Sequence, residues 1–366
     1  MTQFAFWLLA VLAASTAVSA ALVPASSRLA HWLDAVDHPG HRKIHSVPTP
    51  RMGGVAVYVA FVGIVLAGYY LAPWVQRMNL PFASVLEPLR EAHRVENKLL
   101  AVVAGATAAF IVGLLDDMLG SRFPVAVKAV GQVLAALFLV FGDVRTSFLP
   151  VELLNSLVTV LWVVGISNAF NLLDNMDGLS AGVAFIAAGV LVINAWLLGE
   201  MFICLILVAF MGSLLGFLFF NYNPAKVFLG DCGSLFVGYV MASLTLLERY
   251  VSEASSTLFP VLMPVLVLAV PLIDTTTVVF IRLKERRPIY IGDTRHLSHR
   301  LVSLGFSHRA AVQFIYLATL CFGLGAVGLS HATPTQSWLI MLQSLGFVAL
   351  ILTLLFLERR RQARET

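Results

Sequence analysis

Apolar residues fill this chain in long runs, and polar residues collect in the short gaps between them. Eleven runs, at about 4–23, 53–72, 98–115, 124–141, 152–168, 179–198, 201–219, 233–248, 258–281, 310–330 and 337–357, each approach the ~20 residues that a helix needs to cross a bilayer. The pattern predicts an all-α, polytopic integral membrane protein with about eleven transmembrane helices, forming a single transmembrane domain over 1–366. Only Gly199 and Glu200 part the sixth and seventh runs, which predicts a tight hairpin there. The first run also admits a reading as a cleaved signal sequence, because Val18-Ser19-Ala20 has the small residues of a cleavage site. Against that reading, no Lys or Arg precedes the run, and the run is longer than a usual signal core.

Composition agrees with the pattern. Charged residues make up 12% of the chain, where a soluble domain has about 25%. Cys204, Cys232 and Cys321 are scattered and suggest neither a disulfide framework nor a zinc site. The charges are unevenly placed. With eleven spans the connections alternate between two sides, and one side with its margins holds 18 of the 24 Lys and Arg residues. The positive-inside rule puts that side in the cytoplasm and the N-terminus outside.

Every dense polar cluster falls on that side. The stretch Asn168–Gly178 sets two carboxylates and three amides between apolar runs. If it is helical, Asn171, Asp174 and Asp177 line one side of about two turns. Asp116-Asp117 ends the third span, where an acidic pair repels itself and opposes the helix dipole. Such a pair suits cation binding, or proton transfer by one carboxyl whose pKa the other raises. Adjacent helical residues point ~100° apart, so the two have different tasks. Lys128 follows within an apolar run, where a charge needs a partner or a phosphate, or snorkels to the interface. Asp231, between glycines in Phe228-Leu229-Gly230-Asp231, reads as a Mg2+ ligand or as a helix cap. Phe228 reads as a stacking surface for a base or as an interfacial anchor.

Two basic segments complete the set. The first loop carries His38, His41, Arg42, Lys43 and His45, then Arg51-Met52-Gly53-Gly54, and the glycine pair allows close backbone approach at the second span. The last large loop carries Arg295, His296, His299 and Arg300; it reads as a phosphate-binding wall or as a surface for anionic lipid heads. Asp274 lies inside an apolar run, where a carboxylate needs a functional or paired role.

Taken together, these motifs resemble the polyprenyl-phosphate N-acetylhexosamine-1-phosphate transferases, glycosyltransferases that initiate bacterial cell-envelope glycans. The resemblance runs from Asp37 through His299 in the family's order. It implies that Asp116 and Asp117 are the family's paired catalytic aspartates, serving the lipid phosphate or the metal. Asn171, Asp174 and Asp177 match its Asn-x-x-Asp-x-x-Asp motif, with Asp174 catalytic and Asn171 and Asp177 toward the substrate. Phe228 would stack on uracil and Asp231 would bind Mg2+, with Mn2+ as an alternative. Lys43 and Lys128 would lie near phosphates, and His296 and His299 would form the histidine motif, flanked by Arg295 and Arg300. Two positions depart from the pattern: Ser298 stands where the N-acetylglucosamine subgroup often has a histidine, and Asn175 where glycine is common. The three-histidine run typical of the muramoyl-pentapeptide branch is absent, which favours a simple UDP-N-acetylhexosamine donor.

The implied reaction is Mg2+-dependent transfer of N-acetylglucosamine-1-phosphate from the UDP-sugar to undecaprenyl phosphate, with UMP released. The expected location is the bacterial inner membrane, with the active site facing the cytoplasm and the product entering lipopolysaccharide O-antigen, teichoic acid or related cell-wall synthesis. The expected partners are both substrates and the lipid bilayer, with a homodimer as a candidate assembly and no nucleic acid. The alternatives are a UDP-MurNAc-pentapeptide donor, an aspartyl-phosphate route through Asp174, and, in another class, an anionic-lipid transporter.

Overall fold

In the computed structural model, which describes residues 2–37, 48–77, 96–251, 255, 257–288 and 295–365, each of the eleven apolar runs forms helix. Among the described residues nine helices are long and apolar enough to cross a membrane, and one bent pair passes the same test jointly. The fourth run forms a helix of 17 residues, roughly 25 Å long at 1.5 Å per residue. The described chain divides into two compact units, Met1–Glu248 and Arg249–Thr366.

The first unit holds α1 (Thr2–Trp32), β1 (Val36–Asp37), β2 (Thr49–Pro50), α2 (Gly53–Arg77), α3 (Glu96–Leu119), α4 (Val125–Phe141), α5 (Glu152–Leu173), α6 (Leu179–Leu197), α7 (Met201–Asn221) and α8 (Gly230–Leu247). The two short strands pair antiparallel, Val36 with Pro50 and Asp37 with Thr49. α1 runs well past the first apolar run, through Pro24. It packs along α7, where the Ser15 and Ser19 hydroxyls donate to the carbonyls of Ala209 and Ser213, each at 2.6 Å. Ser19, within the stretch that read as a cleavage site, is thus a packing residue. With Ser15 it lets two helix backbones approach where apolar surface alone gives no preference between helix and lipid. The tight hairpin at Gly199 is present, with Gly199 at φ +74°.

α8 is the axis of this unit. Fifteen of its 18 residues are buried, so it is enclosed on all sides rather than facing lipid with one stripe. α2, α3, α5 and α6 pack around it. Its start abuts α2 so closely that a Cβ on Gly54 would lie 2.2 Å from the Gly233 Cα. Further along, Tyr239 donates its hydroxyl proton to the Ala135 carbonyl of α4 at 3.1 Å, and Tyr58 stacks on Phe110 with centroids 4.0 Å apart.

The second unit holds α9 (Met263–Val267), α10 (Ala269–Lys284), α11 (Leu297–Ser303), α12 (His308–Gly328) and α13 (Pro334–Glu365). α9 and α10 derive from one apolar run but meet at 70°. Pro271 explains the break, since it has no N–H for the carbonyl of Val267, the last residue of α9. α12 packs against each of the other four helices.

Candidate active site

The end of α3 is bolted to the start of α8. Asp117 accepts the backbone N–H groups of Asp231 at 2.9 Å and Cys232 at 2.8 Å, one on each carboxylate oxygen. A helix start offers unsatisfied N–H groups, and a carboxylate there also meets the positive end of the dipole. Gly230 makes the turn into α8 at φ +76°, and a Cβ on it would lie 1.8 Å from the Arg51 carbonyl oxygen. The chain 228–229 runs beside 50–54: Phe228 N–H donates to Pro50, and Gly53 and Gly54 donate to Phe228 and Leu229.

This junction presents Asp231 to three other elements. Lys128, from the first turn of α4, donates to Asp116 at 2.6 Å, to the Asn171 side-chain oxygen at 3.3 Å and to Asp231 at 3.4 Å. The Asn171 amide donates to Asp231 and, at 2.8 Å, to Ser234. Arg51 reaches Asp231 and Asp37, each at 4.0 Å. The paired aspartates therefore differ in partner as their helical angle requires: Asp116 meets a cation, whereas Asp117 holds a helix start.

The stretch 168–178 is not one helix. α5 stops at Leu173, Asp174 is non-helical (φ −77°, ψ 51°), and Gly178 turns into α6 at φ +75°. Asn171, Asp174 and Asp177 therefore do not share a helical face. Asn171 points to Asp231, whereas Asp177 accepts the Asn223 side chain at 2.9 Å and the Ala225 N–H at 3.0 Å. Asn221 ties the same loop from below, accepting Gly178 N–H at 3.0 Å and donating to the Val227 carbonyl at 2.9 Å. Asp174 lies where burial, and then the Asp231 carboxylate, push its pKa up to about 8, with Arg51 opposing. Half-buried Phe228 is carried on the loop that Asp177 and Asn221 anchor.

In the second unit, His296 precedes α11 in extended conformation and His299 lies inside that helix, their ring centroids 6.5 Å apart. The two histidines are thus not on one helical face. His296 Nδ1 lies 2.7 Å from Asp274 Oδ2. Arg295 pairs with Glu285 at 2.7 Å, and Arg300 Nε donates to the Arg295 carbonyl at 2.9 Å. Lys43 lies outside the described residues.

A family model for glycosyl transferase family 4 matches residues 99–248, the stretch that carries Asp116, Lys128, Asn171, Asp174 and Asp231. The chain is 34% identical over 340 residues to a probable undecaprenyl-phosphate N-acetylglucosaminyl 1-phosphate transferase of Bacillus subtilis, covering 90% of this chain and 87% of that protein. The chain belongs to glycosyl transferase family 4. A decaprenyl-phosphate N-acetylglucosaminephosphotransferase of Mycobacterium leprae is 32% identical over 359 residues, covering 91% of this chain and 86% of that protein. A phospho-N-acetylmuramoyl-pentapeptide-transferase of Levilactobacillus brevis matches less of the chain, at 34% identity over 221 residues, 55% of this chain and 62% of that protein.

The geometry adds residues to this family 4 transferase that the sequence did not single out. Arg51 stood among loop residues, yet it joins Asp37 to Asp231. Ser234 shares Asn171 with Asp231. Its place two residues after the Gly-Asp-Cys turn was the available signal. The donor set also suits Mg2+. With Asp174 left out, Asp116, Asp117 and Asp231 still outnumber the cations Lys128 and Arg51 in the same nest, so a pyrophosphate entering it meets surplus negative charge unless a divalent cation comes too. Among the described residues no group of three or more His, Cys, Asp or Glu forms a ready metal cage. Mg2+ does not require one, because it uses one or two carboxylates, waters and substrate phosphates.

Proposed function

We propose that this membrane transferase moves N-acetylglucosamine-1-phosphate from UDP-N-acetylglucosamine to undecaprenyl phosphate at the cytoplasmic face of the bacterial inner membrane. The supporting observation is the nest in which Lys128 reaches Asp116, Asn171 and Asp231 from three helices at once. A phosphate oxygen of the lipid attacks the β-phosphorus of the nucleotide-sugar. The bond from that phosphorus to the bridging oxygen breaks, and UMP leaves with the bridging oxygen. One phosphoanhydride replaces another, so the exchange is close to reversible.

The residues divide this work. Asp231, with Asp116 beside it, is suited to hold Mg2+, which when bound neutralises charge on the pyrophosphate. Asp117 and Gly230 set the position of Asp231. Lys128 offsets the repulsion between the Asp116 and Asp231 carboxylates and offers a cation to phosphate oxygens. Phe228 stacks on the uracil, and Asp177 fixes its loop. Burial, and then the Asp231 carboxylate, raise the pKa of Asp174, which makes it a less available nucleophile and favours direct attack by the lipid phosphate over an aspartyl-phosphate.

The test is UMP release by the purified protein, assayed with undecaprenyl phosphate, Mg2+ and a panel of UDP-sugars. UDP-N-acetylglucosamine is expected to react, and Asp231→Asn to lower the rate by at least about a hundredfold. No UMP from any UDP-sugar in the panel overturns the reading. Activity confined to UDP-MurNAc-pentapeptide overturns the choice of sugar.

A further inference from the structure

Asp274 is a buried carboxylate in an apolar helix of the second unit, only 2% exposed. Such a group is costly unless both oxygens are engaged. Here Oδ1 accepts the Leu297 N–H at 2.6 Å, and Oδ2 lies 2.7 Å from Nδ1 of His296, itself 3% exposed. The first contact alone anchors the start of α11 to α10. The second does something an anchor does not need: it fixes which imidazole nitrogen carries the proton. With Nδ1–H on the carboxylate, Nε2 is the nitrogen left to face a ligand, as acceptor in the neutral ring and as donor in the imidazolium.

We propose that Asp274 is the positioning residue for His296, holding Nδ1 protonated so that Nε2 is the ring nitrogen presented to the substrate. The proposal rests on the phosphoryl-transfer reading above. It separates the two histidines of the loop by task. His299 of α11 lies beside the pair, His308 at the start of α12 acts on His299, and Arg295, next to His296 in the chain, is held by Glu285. Only His296 has a carboxylate against its ring nitrogen among the described residues.

The test uses the full chain in bilayers with 15N-labelled histidine. In the wild type, one histidine signal, absent in His296→Gln, is expected to show Nδ1 protonated. In Asp274→Asn the amide can still accept the Leu297 N–H but donates to Nδ1, so the same signal is expected to switch to the Nε2–H form. In the UMP-release assay, Asp274→Asn is expected to lower kcat on the order of tenfold or more, as a wrong tautomer does. KM for the UDP-sugar should be nearly unchanged, with partial recovery in Asp274→Glu. Added to His296→Gln, Asp274→Asn should cost nothing more. An unchanged His296 signal in Asp274→Asn overturns the proposal, as does a full further loss in the His296→Gln background. If the wild type releases no UMP, the functional reading fails, and the histidine spectra still decide the tautomer.

Discussion

Lys128 is the residue on which the charge balance of the candidate site turns. Its ammonium lies between Asp116 and Asp231, with side-chain exposures of 18%, 16% and 24% for the three. Partly buried charges of one sign repel strongly once the opposite charge is removed. Lys128→Met keeps the apolar stem and deletes the charge, so its effect is electrostatic. We expect it to destabilise the protein by on the order of 1–3 kcal/mol and to suppress UMP release. Adding Asp116→Asn should recover part of the stability, because one of the two opposed carboxylates is then neutral, but none of the activity. Thermal unfolding in detergent alongside the UMP assay checks both. Equal melting temperatures for wild type and Lys128→Met contradict this account of the nest.

At the level of elements, the apolar runs were legible because a bilayer span is set by length and hydrophobicity, both local properties of a segment. Each expected run contains helix. The polar stretches were legible as clusters but not as contacts. Asn171, Asp174 and Asp177 have helical spacing, yet Gly178 turns the chain at φ +75° and the helix ends before Asp174. Asp177 then finds its partners 46 and 48 residues away, and no local pattern encodes those. Asp274 stood out as an apolar-run carboxylate, but its partner 22 residues on depends on the bend at Pro271 and the turn into α11. α11 also carries a pH signature. Burial, and then His296, lower the pKa of His299 below the usual histidine value, with Asp274 opposing. Folding therefore favours the neutral ring. The stability it contributes is present above the unfolded value of about 6.5 and is lost as pH falls through the folded value. We expect the melting temperature to drop between about pH 7 and 5, and His299→Gln to flatten that drop. An equally steep drop in the variant shows that other groups set it.

For the whole molecule, the structure gives a second argument about sidedness that does not use hydropathy. In the first unit, the start of α2, the end of α3, the start of α4, the ends of α5 and α7 and the start of α8 are joined by direct hydrogen bonds or ion pairs. Those ends share one membrane face by contact, and they are the ends expected on the basic side. Charge then orients the face, since that side with its margins holds 18 of 24 Lys and Arg residues. Two exposed positions report on it. Lys226 lies in the loop between α7 and α8, at the site end, and Ser147 lies in the connection between α4 and α5, at the opposite end. Lys226→Cys and Ser147→Cys can each be treated with a membrane-impermeant maleimide in spheroplasts, against the parent protein. Cys204 and Cys232 are buried and Cys321 is half-buried in α12, so the parent background should be low. We expect Ser147→Cys to label in intact spheroplasts, and Lys226→Cys only after permeabilisation. The reverse pattern would put the nest of Asp116, Lys128 and Asp231 outside the cell, and a cytoplasmic nucleotide-sugar could not then be its substrate.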